Sequence, residues 1–210
     1  MIRRASATAF LLLLVLTGSL AAQTPQGLKL RVDRSTSATD PDDGSAVKVA
    51  AAAKGFQVTT GPAAAVWNPA NTVNGSYNLK GTFTLQSPSS HPNYYGLIFG
   101  GRALDNAEQA YLYFMVAQDG TYMIKSRQGT GTRELRGATP HAAVVKPNAA
   151  GKSVNALEVR VGESEVAFLV NGTQVHTAPK SAMAATDGIW GVRVNHVIPG
   201  MLVEDLAVTR

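Results

Sequence analysis

The chain has 210 residues, no cysteine, and 19 Lys+Arg against 14 Asp+Glu, a formal charge of +5 that falls to +3 without Arg3 and Arg4. The basic residues are scattered, with no stripe on which released counterions drive nucleic-acid binding, so no nucleic-acid partner is expected. With no disulfides available, the fold must rest on its core, and a chain of this length can bury one.

Arg3 and Arg4 precede the apolar run Phe10 to Leu16 (FLLLLVL), and Ser19-Leu20-Ala21 follows with small residues at the positions a signal peptidase reads. Residues 1–21 are therefore expected to be a signal peptide, leaving a periplasmic or secreted chain of roughly 190 residues. The run is far shorter than the ~20 apolar residues that span a bilayer, so no membrane association is expected after cleavage.

Residues 22–54 form an N-terminal segment. In it, Leu28 to Val32 alternates like a first strand, Ser35 to Ser45 is polar loop, and Ala46 to Lys54 suits a strand or a short helix. Residues 55–210 carry the clearer pattern. Phe56 to Thr60, Ala65 to Trp67, Tyr77 to Leu85 and Tyr94 to Phe99 are β-like runs broken by Gly, Pro and Asn. Leu104 to Ala110 suits one helical turn, and Thr130 to Lys152 reads as a long irregular excursion. Leu157 to Val161 and Val166 to Val170 alternate, and Asn171-Gly172 supplies a two-residue hairpin turn after them. Ile189 to Val194 and Leu202 to Val208 are the last strand candidates. Short alternating segments with little helix predict an all-β fold, an antiparallel sandwich or barrel, with residues 22–210 as one folded unit.

The segment Tyr111 to Arg127 (YLYFMVAQDGTYMIKSR) is a hairpin with two possible registers. A two-residue Asp119-Gly120 loop mixes apolar and cationic residues on one face. A three-residue loop, Gln118-Asp119-Gly120 with Gly120 at a left-handed bulge, pairs Ala117 with Thr121 instead. It puts Leu112, Phe114, Val116, Tyr122 and Ile124 on one face. Tyr111, Tyr113, Met115, Met123, Lys125 and Arg127 take the other. A one-residue slip exchanges the faces, so the cleaner partition is the expected register. The polar-aromatic face suits a sugar, whose C–H faces pack on rings while its hydroxyls bond to charged groups. It equally suits a covered surface whose cations snorkel to water. Arg193 and Asn195 alternate with Val192 and Val194, and on the same sheet they would extend that patch. Trp67 and Asn68, in Trp67-Asn68-Pro69, suit either sugar stacking or closure of the core.

The strings FQVTTGPAAAVWNPANT, HPNYYGLIFGG, YLYFMVAQDGTYMIKSR, FLVNGT and GVRVNH resemble exported bacterial domains of the concanavalin A-like lectin/glucanase superfamily. The resemblance covers about Phe56 to Thr209. More narrowly it is to laminin G-like modules and domains named for 3-keto-disaccharide hydrolysis. It implies an all-β antiparallel two-sheet sandwich, a jelly roll with one concave face and little helix, on a fold that serves lectins, glycosidases and structural modules alike. The E-x-D-x-x-E strand of the superfamily's glucanases is missing, and Glu163-Ser164-Glu165 falls in a turn. The aspartate-rich opening of the keto-disaccharide hydrolases is also missing, so no catalytic residue is carried over.

Asp40, Asp42 and Asp43 offer oxygen ligands for calcium, but their spacing completes no EF-hand, and a solvated acidic loop is expected with no cofactor. The four histidines show no zinc-ligand spacing, and no G-x-S-x-G elbow is present. The expected function is binding of a carbohydrate or cell-surface polymer through Tyr111, Tyr113, Lys125, Arg127, Arg193, Asn195, Trp67 and Asn68. The alternatives are a glycan-active hydrolase of the 3-keto-disaccharide type and a protein-interaction or adhesion module.

Overall fold

The structure is a computed structural model that describes residues 24–33, 47–89, 93–195 and 198–210. The expected leader, the 35–45 loop with Asp40, Asp42 and Asp43, and the residues His91 and His196 lie outside the described residues. Among the described residues fourteen strands follow in chain order: β1 Lys29–Asp33, β2 Lys48–Ala51, β3 Phe56–Thr60, β4 Ala63–Val73, β5 Tyr77–Leu85, β6 Tyr94–Arg102, β7 Ala110–Ala117, β8 Thr121–Gln128, β9 Gly131–Pro140, β10 Ser153–Val161, β11 Glu165–Val170, β12 Thr173–Pro179, β13 Gly188–Val194 and β14 Ile198–Thr209. A 3-10 turn at Lys180–Ala182 joins β12 towards β13. Among the described residues no helix is long and apolar enough to cross a membrane.

The strands form two antiparallel seven-stranded sheets. Sheet A has the order β1-β4-β13-β6-β7-β8-β9, and sheet B the order β12-β11-β10-β5-β14-β3-β2. The expected all-β jelly-roll sandwich is the observed architecture. The period-2 alternation decides which side chains fill it. From sheet A come Leu97, Phe99, Leu112, Phe114, Val116 and Ile124, and from sheet B come Leu79, Phe83, Val159, Phe168 and Val203, all fully or almost fully buried in one cluster.

Turn chemistry fixes the registers. In the β7–β8 hairpin Tyr111 pairs with Arg127, Tyr113 with Lys125 and Val116 with Tyr122, the register of the three-residue loop. Gly120 sits at φ 90° and its N–H donates to Ala117 O at 3.1 Å, as a left-handed bulge position requires. Asn171 and Gly172 take φ 51° and 79°, the doubly positive pair of a tight hairpin turn between β11 and β12.

Two expectations are corrected, and one open alternative is resolved. Thr130 to Lys152 is not wholly irregular, because β9 occupies its first half and pairs with β8 at the edge of sheet A. Its strand character was masked because it is half-buried at most on both sides, which removes the apolar alternation. Leu104 to Ala110 forms two successive turns rather than a helical one, with Asn106 N–H donating to Ala103 O and Gln109 N–H to Asn106 O. Of the two options for Ala46 to Lys54, the strand is observed as β2.

Candidate functional site

Sheet A buries side chains on both faces. While Ala64, Val66, Leu97, Phe114 and Ile124 point into the sandwich, the alternate residues Ala65, Trp67, Ile98, Tyr111, Tyr113, Met115 and Met123 form a second cluster on the opposite face. Leu104, from the turns after β6, packs into it. This face is concave. β1 and β8 are five positions apart in the strand order. On a flat sheet, at about 4.8 Å per strand, that is roughly 24 Å, more than an aspartate and an arginine can span. Yet Asp33 on β1 reaches Arg127 on β8, with 3.8 Å between Oδ1 and NH2.

Asp33 is the focus of the curled face. Its Oδ2 accepts from Arg193 NH1 at 2.6 Å, and the same NH1 donates to the Tyr111 hydroxyl at 2.6 Å. Its Oδ1 accepts from Arg31 Nε at 2.9 Å and Gln109 Nε2 at 3.2 Å. The Arg193 guanidinium lies over two rings, 5.8 Å from the Tyr111 centroid and 5.5 Å from that of Tyr113. The turns after β6 are tied to β1 by Lys29 Nζ to Asp105 Oδ2 at 3.1 Å and by Arg31 NH1 donating to Asn106 O.

These contacts set the ionisation of the group. Burial alone would raise the Asp33 pKa, but the Arg193 charge and hydrogen bond, then Arg127 and Arg31, outweigh it and hold the carboxyl at about 2. Burial works against the charge on Arg193 too, yet Tyr111, Asp33 and Tyr113 keep its pKa above the ordinary value. Tyr111 is pushed up to about 12, chiefly by burial. Asp33 is therefore ionised at neutral pH and acts as a counter-ion rather than a proton donor.

A stability effect follows from the lowered pKa. The contribution of Asp33 is complete above about pH 4 and is lost as pH falls through about 2, because acid protonates the unfolded chain first. The contribution is on the order of 2 kcal/mol. Urea unfolding at pH 5 and pH 2 should show a steeper acid loss for the wild type than for Asp33→Asn. Equal losses would contradict the ion-pair account.

Tyr111, Tyr113, Lys125, Arg127 and Arg193 thus come together on one face of one sheet. Tyr111 and Tyr113 are only 3% and 4% exposed, so the rings are floor rather than open platform. Lys125 and Arg127 sit nearer the surface, with side chains 27% and 15% exposed, and Lys125 pairs with Glu134 at 3.3 Å. Trp67 joins the apolar part of the same cluster, 3% exposed. Asn68 takes the other side of β4, where its Oδ1 accepts from Ala70 N–H at 2.9 Å. Asn195 ends β13 by donating its N–H to Tyr94 O at 2.8 Å, and its buried Oδ1 has no hydrogen-bond partner. Sequence reasoning missed Arg31, Asp33 and Gln109. A signal existed for the first two: Lys29, Arg31 and Asp33 alternate along β1 and place three charges on one face of a strand. Among the described residues no group of three or more His, Asp or Glu is placed to hold a metal ion.

No protein-family model matches the sequence, and no curated protein matches it. Solved structures do share the architecture. The carbohydrate binding module CBM66 from Bacillus subtilis superposes with a TM-score of 0.60 at 9% identity, covering 78% of this chain and 92% of that one. The glycoside hydrolase family 16 endo-glucanase from Bacteroides ovatus gives 0.58 at 9% identity, over 87% of this chain and 94% of that one. A putative glycosyl hydrolase from Parabacteroides distasonis gives 0.50 at 12% identity, over 86% and 98%. The antiparallel two-sheet sandwich is the fold that this chain shares with these structures.

Proposed function

We propose that this chain is an exported glycan-binding protein whose ligand lies on the concave face of sheet A. The carrying observation is the Asp33–Arg193–Tyr111 cluster, which places ionic and aromatic groups on the face turned away from the core. Burying charge there costs free energy that an apolar surface would not, so its presence supports a role in recognition. Two structures with the same architecture, a carbohydrate binding module and an endo-glucanase by name, support the same class of ligand. In this reading Arg31, Lys125 and Arg127 are the donors a sugar meets first, and Tyr111, Tyr113 and Arg193 hold the floor beneath them. Export rests on Arg3, Arg4 and the Phe10 to Leu16 run, which direct the chain to the periplasm or the medium.

A glycan array probed with the chain lacking residues 1–21 should retain at least one oligosaccharide class. Arg127→Ala should weaken that binding by about tenfold or more, the scale of one charge-assisted hydrogen bond. Retention of no glycan, or binding unaltered by Arg127→Ala, would sink the proposal.

A further inference from the structure

We propose that the ligand of this face is an acidic glycan, one that carries its charge as a sugar carboxylate. The inference rests on the glycan-binding reading above and adds the chemical class to it. Its first ground is charge balance. Elsewhere on the curled face cations and anions pair one to one, Lys29 with Asp105 and Lys125 with Glu134. At the centre, Asp33 alone faces Arg31, Arg127 and Arg193, leaving two positive charges without a carboxylate among the described residues.

The second ground is unused hydrogen-bonding capacity. The Arg193 side chain is 6% exposed, and its Nε–H has no partner in a group that otherwise donates to Asp33 and Tyr111. The Gln109 Oε1 is likewise buried without a donor. Arg127 uses Nε on Gly129 O at 3.0 Å, and its NH2 stands 3.8 Å from Asp33, beyond hydrogen-bond length. The planar fork of a guanidinium matches a carboxylate with two parallel donors. A carboxylate at Arg127, whose side chain is 15% exposed, would neutralise part of the excess. A neutral sugar satisfies the second requirement and not the first.

Paired ligands test this without any mutation. Oligogalacturonates and their fully methyl-esterified forms share one backbone and differ in charge, and alginate oligomers add a second uronate series. Titration calorimetry should show acidic forms binding about 10- to 100-fold more tightly than ester or neutral forms. The preference should shrink as sodium chloride rises from about 50 to about 300 mM, since exposed charges are screened over that range. Arg127→Gln should remove most of it while leaving the unfolding midpoint close to that of the wild type.

Equal or tighter binding of neutral glycans would overturn the acidic assignment and leave glycan binding standing. Binding of sulfate or phosphate as tight as that of the uronates would overturn it too, marking a general anion site. Retention of no glycan on a broad array, acidic or neutral, would remove both readings together.

Discussion

Replacing Asp33 with alanine should lower the free energy of unfolding by about 3–5 kcal/mol, the range for removing one partner of a buried ion pair. Arg193 is 6% exposed and cannot shed its charge near neutral pH, so without Asp33 its guanidinium is left with Tyr111 as its hydrogen-bond partner. Arg31 and Arg127 then repel it with nothing between them. Glu158→Ala is the matched control. That carboxylate, on the outer face of sheet B, is itself mostly covered, with its side chain 11% exposed. Its partners Arg160 at 2.7 Å and Lys80 at 3.4 Å are about half exposed and stay solvated when it is removed. Its loss should cost no more than about 1 kcal/mol. Urea unfolding of both variants at pH 7 decides the matter. Equal costs would mean that the Asp33 cluster is stabilised no better than a pair whose cations reach water.

How much of this was legible depended on whether one strand or several held the information. The β7–β8 register followed from local chemistry, because only a three-residue loop sorts Leu112, Phe114 and Ile124 away from Tyr111, Lys125 and Arg127. Arg193 followed for the same reason, between Val192 and Val194 of a half-apolar strand. β9 did not, since an edge strand with no buried residue carries no alternation to read and is defined by its partner β8. Asp33 was the harder loss. Nothing in Leu28 to Asp33 announces Tyr111 or Arg193, which lie 78 and 160 residues away in sequence. They meet because sheet A curls, and curvature accumulates over seven strands rather than within one. Tyr111, Tyr113, Lys125, Arg127 and Arg193 were therefore readable singly, and the ion pair with Asp33 that organises them was not.

The two clusters of sheet A should also separate by experiment. Phe168 on β11 crosses the sandwich to meet sheet A, its ring 5.2 Å from that of Phe114 and 6.3 Å from that of Phe99. It is fully buried, so Phe168→Ala should cost about 3–5 kcal/mol through lost apolar burial and the cavity left behind. That is as large as the expected cost of Asp33→Ala, but it arises on the opposite side of the sheet. The sheet backbone lies between Phe114 and Tyr113, and no hydrogen bond or ion pair links Phe168 to the Asp33 cluster among the described residues. Glycan affinity should therefore stay within about twofold, as expected for sites without shared partners. Phe168→Leu, which keeps most of the volume, serves for the binding measurement. Asp33→Asn, in contrast, should change affinity with little change in core packing, because it alters the charge that Arg31, Arg127 and Arg193 present to a ligand. If Phe168→Leu weakened binding as much as Asp33→Asn does, the concave face would be sensing the core, and recognition could not be assigned to the Asp33 cluster alone.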